Sequence, residues 1–311
     1  MARAQTIQIY LPGGNPAGIR VASLTTRTVR VFDVPRTLLT EFTKLPVSRQ
    51  VGVYYLFGDN DDDRTAYIGQ TGNVSTRLGQ HSSKDWERAM VAVSLTNEWT
   101  STHVAYLEWL SIQAARRADR YTLTNGNDAS NPFTPDPLEA DCHEFLDTIS
   151  ILLTTLGAPI LDSIQPASSG SRRIDEDTTE LLYFSELGCA ATGYLTTEGL
   201  VVKSGSRGRP DFRGAATERL KATRESLISS GRAALTDEAF VFQVDELFDS
   251  PSAAGAVLVG GSNNGRISWK NAAGEDLNML EARDLARVQK GRDGDSGTTS
   301  GSIDTDVESS T

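Results

Sequence analysis

Cysteine and histidine are scarce in this chain: two of the first and three of the second among 311 residues. The two cysteines, Cys142 and Cys189, exclude a disulfide scaffold and any zinc site built on cysteine. Three histidines leave almost no material for a two-histidine metal centre. No apolar run approaches the ~18–20 residues that a membrane span requires. The first residues, Met1 to Gln8, begin a strand-like pattern where a signal peptide would carry an apolar stretch. The expectation is a cytoplasmic protein with no membrane partner. Cations are also in deficit: 30 Lys and Arg face 41 Asp and Glu, for a net charge of −11. Proteins that coat nucleic acid without selectivity are usually basic, so this balance counts against a simple packaging role.

What is present fits an ordinary α+β protein. Apolar residues make up 38% and charged residues 23%, and the length suits two domains at roughly 100–200 residues each. The charge is unevenly placed. Residues 1–49 carry a local +5, residues 50–127 a local −2 and residues 128–179 a local −8. The first 127 residues thus carry a net +3, and a basic surface there could still meet phosphate.

Alternation predicts strands at Thr6–Leu11, Arg20–Ala22 and Thr28–Phe32. A hairpin follows, with Val51–Phe57 and Thr65–Gly69 flanking a Gly/Asp/Asn turn. Asn73 caps a short helix running to about His81, Ala89–Leu95 is a third strand, and a longer helix covers Ser101 to Arg117. Pro-rich residues 131–137 lead into a helix over Glu139–Leu156. The polar stretch 166–178 is the best domain boundary. Beyond it, strands are expected at Leu181–Phe184, Gly199–Lys203 and Phe240–Val244, helices at Thr217–Ser229 and Ala253–Val259, and a final strand at Ile267–Lys270. From Gly291 the tail has almost no apolar residues, which predicts an acidic disordered segment.

Two local patterns carry chemistry. Glu108 lies four residues from both Val104 and Ile112 and so shares their apolar stripe. A carboxylate there either snorkels to water or needs a partner such as a metal. Arg77 and His81 share a helix face with Val74 and Leu78. A solvated face is the plainer reading. A phosphate clamp with a proton carrier is the sharper one, because a guanidinium presents paired donors in fixed geometry.

Gly52-Val53-Tyr54 followed by Tyr67-Ile68-Gly69 resembles the signature of the GIY-YIG nucleases. The tyrosines are 13 apart, Arg77 lies ten after Tyr67, and Glu108 and then Asn125 follow in the family's order. His81 matches the histidine that many members carry on the arginine helix. The resemblance implies a small mixed sheet flanked by helices and metal-dependent hydrolysis of phosphodiester bonds with Mg2+ or Mn2+. Carried over, Glu108 ligates the metal, Arg77 holds the scissile phosphate, and Tyr54 and Tyr67 position or deprotonate the attacking water. His81 assists proton transfer and Asn125 braces the site, with Asn127 close enough to take that role instead. Which tyrosine is the base stays open. Gln70 stands where many members have a lysine.

The C-terminal region, with Phe248–Gly255, Asn264-Gly265 and Trp269-Lys270, resembles a small domain of unknown function often found behind such cores in bacteria. Its most basic part runs from Arg207, Arg209 and Arg213 to Arg219, Lys221 and Arg224. DNA contact through Arg207, Arg209 and Arg213 is one reading, and a solvated charged loop is the other. The expected organisation is N-terminal strands over 1–49, a nuclease core over 50–130, a linker and helix over 131–165, a C-terminal α+β domain over 180–290 and a tail over 291–311. The expected function is a metal-dependent endonuclease acting on DNA in phage defence, repair or mobile-element biology. A non-cleaving nucleic-acid or protein binding module, or an RNA nuclease, is the alternative. If both strands are cut, one site per chain calls for a homodimer or two sequential nicks. A protein partner is expected, if anywhere, on the C-terminal domain.

Overall fold

Alternating apolar residues in the first half of the chain place every second side chain on one face of a sheet, and the computed structural model carries this through. It describes residues 4–60, 63–81, 85–126, 131–163, 180–214 and 216–295. The chain divides into two units, Met1–Ile164 and Gln165–Thr311. Lys84, Asn127, the expected boundary over 166–178 and the tail beyond Asp295 lie outside the described residues.

The first unit runs β1 (Ile7–Tyr10), β2 (Arg20–Leu24), β3 (Val29–Pro35), α1 (Leu39–Thr43), β4 (Gly52–Asn60), β5 (Asp63–Thr71), α2 (Val74–Gln80), β6 (Arg88–Ser94), α3 (Ser101–Ala118), β7 (Thr122–Leu123) and α4 (Asp136–Thr155). A 3-10 turn at Pro46–Arg49 leads into β4. Seven strands form one sheet in the order β1-β2-β3-β6-β4-β5-β7. The N-terminal strands are thus part of the same sheet as the hairpin, joined through the antiparallel pairing of β3 with β6. All neighbours are antiparallel except β5 and β7, which makes the sheet mixed.

The two faces of the sheet are covered by different helices. Val53, Tyr55 and Ile68 pack with Leu107 of α3 and with Ile149 and Leu152 of α4. Tyr54 and Leu56 face the other way, with Val74 and Leu78 of α2, Trp86 and Val91. Each fully buried side chain of Leu or Val size contributes about 1.5–3 kcal/mol, which holds helices this short on the sheet. α3 begins at a capping box in which Thr100 and His103 satisfy each other's first-turn groups. It ends at Asp119, in the left-handed region at φ +49°.

The second unit contains β8 (Leu182–Phe184), β9 (Ala191–Leu195), β10 (Leu200–Val202), β11 (Arg207–Gly208), α5 (Glu218–Ser229), β12 (Ala233–Leu235), β13 (Phe240–Phe242), β14 (Glu246–Phe248), α6 (Pro251–Val259), α7 (Gly265–Ser268) and α8 (Leu277–Asp295). One antiparallel sheet has the order β14-β10-β9-β8 and a second has β11-β13-β12. Their shared core contains Phe184, Phe240, Phe242, Leu258 and Trp269. Ser250 caps α6 by accepting from the Ala253 N–H at 3.1 Å, with Pro251 at the first helical position.

Two expectations fail here. The alternation of Ile, Ser, Trp and Lys predicts a strand over 267–270, but α7 occupies Gly265–Ser268. Close packing decides it: a Cβ on Gly265 would lie 2.1 Å from the Pro251 carbonyl. This lets the turn sit against α6, burying Trp269 while Ile267 stays exposed. The tail was expected to lose structure from Gly291, but α8 continues to Asp295. Once a helix is nucleated, each added residue brings its own backbone hydrogen bond, so Gly291 and Gly294 do not stop it.

Candidate active site at the β5 edge

Tyr54 and Gly69 are partners in the β4–β5 register. The tyrosine ring lies across the glycine: a Cβ at position 69 would come within 2.4 Å of the Tyr54 hydroxyl. Only glycine permits that approach. The ring is fully buried, and its hydroxyl meets two groups from the α2 segment. Arg77 Nε donates to it at 3.1 Å, and His81 Nε2 shares a hydrogen bond with it at 2.8 Å. Burial pushes the Tyr54 phenol up to about 12, although the Arg77 contact pulls in the opposite direction.

Asn73 fixes the start of α2 by accepting from the Thr76 N–H at 3.2 Å. One turn on, Arg77 reaches the sheet. The Tyr54 hydroxyl stabilises its charge and raises its pKa further. His81 follows the last residue of α2 and is buried. Its carbonyl accepts from Trp86 Nε1 at 3.0 Å. The Tyr67 ring completes the group, 5.3 Å from the His81 ring and 6.2 Å from the Tyr54 ring. Tyr67 is only partly buried, so it is the tyrosine that solvent reaches. Tyr55 points to the other face and bonds Ser111 at 2.8 Å.

Glu108 arrives from α3. β7 pairs with β5 only at Thr65 and Ala66. Beyond that point Asn125 takes over: its Oδ1 accepts from the Ile68 N–H at 3.1 Å and its Nδ2 donates to the Ile68 carbonyl at 2.8 Å. A side-chain amide thus stands in for a strand. Strand alternation turns the backbone groups of Gln70 to that same edge. There the Gln70 N–H bonds the Glu108 carboxylate. Burial pushes the Glu108 carboxyl above its ordinary value, while the Gln70 N–H and the Arg77 charge oppose the rise. The Coulombic influence of Arg77 on Glu108 ties α3 to α2 around the end of β5.

Tyr54, Tyr67, Arg77, His81 and Glu108 therefore gather at one place, and Asn125 fastens the strand that carries them. Three contributors escaped the sequence reading. Gly69 was visible only as part of a tripeptide, and Trp86 sits in a stretch with no periodic signal. Arg36 also supports the site: it donates from Nη1 to the Trp86 carbonyl at 2.8 Å and lies over the indole. Among the described residues no group of three or more His, Cys, Asp or Glu could hold a metal. Glu108 is a single carboxylate.

Within the second unit the arginines of the basic stretch fall into different settings. Arg207 faces Glu238 at 3.5 Å, Arg209 donates to the Leu187 carbonyl at 3.2 Å, and Arg213 is exposed. Arg224 is neither a phosphate contact nor a solvated residue. It is 3% exposed, and its guanidinium donates to the carbonyls of Arg209, Pro210, Val257 and Leu258. It also lies over the rings of Phe212 and Phe240. Burial lowers its pKa to about 10, which keeps it charged at neutral pH.

Part of the second unit is matched by one comparison. A family model described as Domain of unknown function (DUF4357) covers residues 182–281. A DUF4357 domain is therefore present in the C-terminal region, spanning β8 to the first turn of α8. Arg224, Gly265 and Trp269 all belong to this DUF4357 segment, and each is a packing residue in it. Neither the curated proteins nor the solved structures contain a match to the chain. Among the described residues no helix is long and apolar enough to cross a membrane.

Proposed function

We propose that the first unit is a GIY-YIG-type nuclease core that hydrolyses phosphodiester bonds, with DNA as its first expected substrate. The observation that carries this reading is the position of Arg77. It donates to the Tyr54 hydroxyl and acts electrostatically on Glu108, so residues 54, 77 and 108 form one electrostatic unit.

The resemblance implies a divalent cation, and the donor set fits one. Mg2+ commonly keeps several waters and binds through one or two carboxylates together with substrate phosphate. Glu108 is a half-buried carboxylate whose ionised form is disfavoured by burial, so a cation beside it restores the charge balance. When bound, Mg2+ or Mn2+ would supply Lewis-acid stabilisation of the phosphoryl oxygens. Arg77 has more donors than its contact to Tyr54 uses, and it would hold the scissile phosphate. A phenol held at about 12 is a poor base. His81 Nε2, 2.8 Å from the Tyr54 hydroxyl, would accept its proton as the Tyr54 oxygen takes one from the attacking water. Tyr67, nearer to solvent, would orient the attacking water.

The test is nicking of supercoiled plasmid with Mg2+ or Mn2+, alongside structured RNA. The wild-type chain should nick. Glu108→Ala and Arg77→Ala should each lose about 100-fold or more, the scale expected when one transition-state charge contact is removed. Undiminished cutting by Glu108→Ala would overturn the reading.

A further inference from the structure

The N-terminal 49 residues hold seven cations and two anions, and the structure shows where that surplus goes. Arg20 is bound to the buried Asp33, with Nε 2.7 Å from Oδ2. Arg27 pairs with Glu144 of α4, and Lys44 with Glu41 at 2.7 Å. Arg36 is spent on Trp86, and Arg3 lies outside the described residues. Arg30 and Arg49 remain. Among the described residues neither forms an ion pair or a side-chain hydrogen bond.

These two arginines are not scattered. On β3, Val29 and Val31 face the α3–α4 layer while Phe32 and Val34 face the α2 layer, so Arg30 projects on the α2 side. In the register it lies in line with Val93, Gly52 and Thr71. That row adjoins the row of Phe32, Val91, Tyr54 and Gly69. Arg49 ends the turn before β4 and is exposed. Its neighbour Gln50 accepts from the Val74 N–H at 3.2 Å, which ties Arg49 to the first turn of α2, one turn from Arg77. Two strand spacings and two residues of rise put the Arg30 backbone about 12 Å from Tyr54. That distance spans a few successive phosphates of one strand.

We propose that Arg30 and Arg49 continue from Arg77 a track of guanidinium groups that holds the phosphodiester backbone flanking the cleaved bond. The inference rests on the nuclease reading for the role of Arg77. It gives a chain of net charge −11 a local means to engage a polyanion: of the described cations in the first 49 residues, these two are unpaired, while the others are engaged by structure.

The test uses the full-length Glu108→Ala chain without divalent metal. Fluorescence anisotropy follows its binding to a labelled duplex of about 20 base pairs, as DNA and as RNA, between about 50 and 200 mM salt. Adding Arg30→Ala and Arg49→Ala should lower the slope of log affinity against log salt by about two units, one per lost phosphate contact. Arg27→Ala, whose guanidinium is already paired, should leave the slope unchanged. The duplex that shows the loss names the nucleic acid. A slope within half a unit of the parent for both duplexes, or no binding at the lowest salt, would overturn the track. Cleavage by the wild-type chain with an unchanged slope removes the track alone. A lowered slope without wild-type cleavage keeps the track and removes the nuclease reading.

Discussion

The ring of Tyr54 occupies the space above Gly69 that any side chain would need, and the two residues face each other across β4 and β5. Gly69→Ala should therefore destabilise the first unit by about 1–3 kcal/mol through overpacking. Removing the ring should relieve this. In a double-mutant cycle, Gly69→Ala should cost less in a Tyr54→Ala background than in the wild type. Urea unfolding of the four proteins measures the coupling, and additive effects would show that the ring moves aside freely.

Glu108 has a raised carboxyl pKa in the folded chain, chiefly from burial. The folded state thus holds that proton more tightly than the unfolded chain does, and stability falls as pH rises above the ordinary carboxyl value of 4.5. Glu108→Gln should melt higher than wild type at pH 8, with the gap closing as pH falls towards 4. Mg2+ should raise the wild-type melting temperature at pH 8 and leave that of Glu108→Gln unmoved. Thermal melts across pH, with and without the cation, test both statements.

Asn125 spends both ends of its amide on Ile68. Asn125→Ala leaves an N–H and a carbonyl at the β5 edge without protein partners, at a cost of about 1–3 kcal/mol. Asn125→Asp keeps the acceptor but sets a carboxylate against the Ile68 carbonyl, so it should not recover the loss. Amide hydrogen exchange at Ile68 should rise in both variants.

Arg224 is the corresponding clamp of the DUF4357 domain. Arg224→Lys lacks the planar fork that reaches several carbonyls at once, and Arg224→Ala leaves them without donors at roughly 1–3 kcal/mol each. Hydrogen exchange should quicken at β13 and α6 in both variants while β4 and β5 keep wild-type protection. Unchanged exchange at α6 would mean that the carbonyls find other partners.

Much of this architecture is written in short-range pattern. The alternation in Val51–Phe57 and Thr65–Gly69, the cap at Asn73 and the 3.6-residue stripe of Val104, Glu108 and Ile112 each report a local preference, and the structure has β4, β5, α2 and α3 at those places. The failures are equally local in origin. Ile267–Lys270 alternates like a strand because Ile267 and Trp269 are apolar, but one is exposed and the other is core. The Arg207–Arg224 segment is basic in composition, yet its last arginine is sealed inside the domain. Composition counts a charge without saying whether carbonyls surround it.

Periodicity and capping sufficed to place β4, β5, α2 and α3, because those choices depend on neighbours a few residues away. The tertiary fold alone placed Tyr54 over Gly69, turned the Asn125 amide onto Ile68, set Gln70 N–H against Glu108 and left Arg30 and Arg49 without carboxylates. Each of these depends on which segments, tens of residues apart, share a sheet edge or face. Burial and pairing, which shift Tyr54, Arg77 and Glu108 from their ordinary values, are properties of that arrangement and not of the residue types.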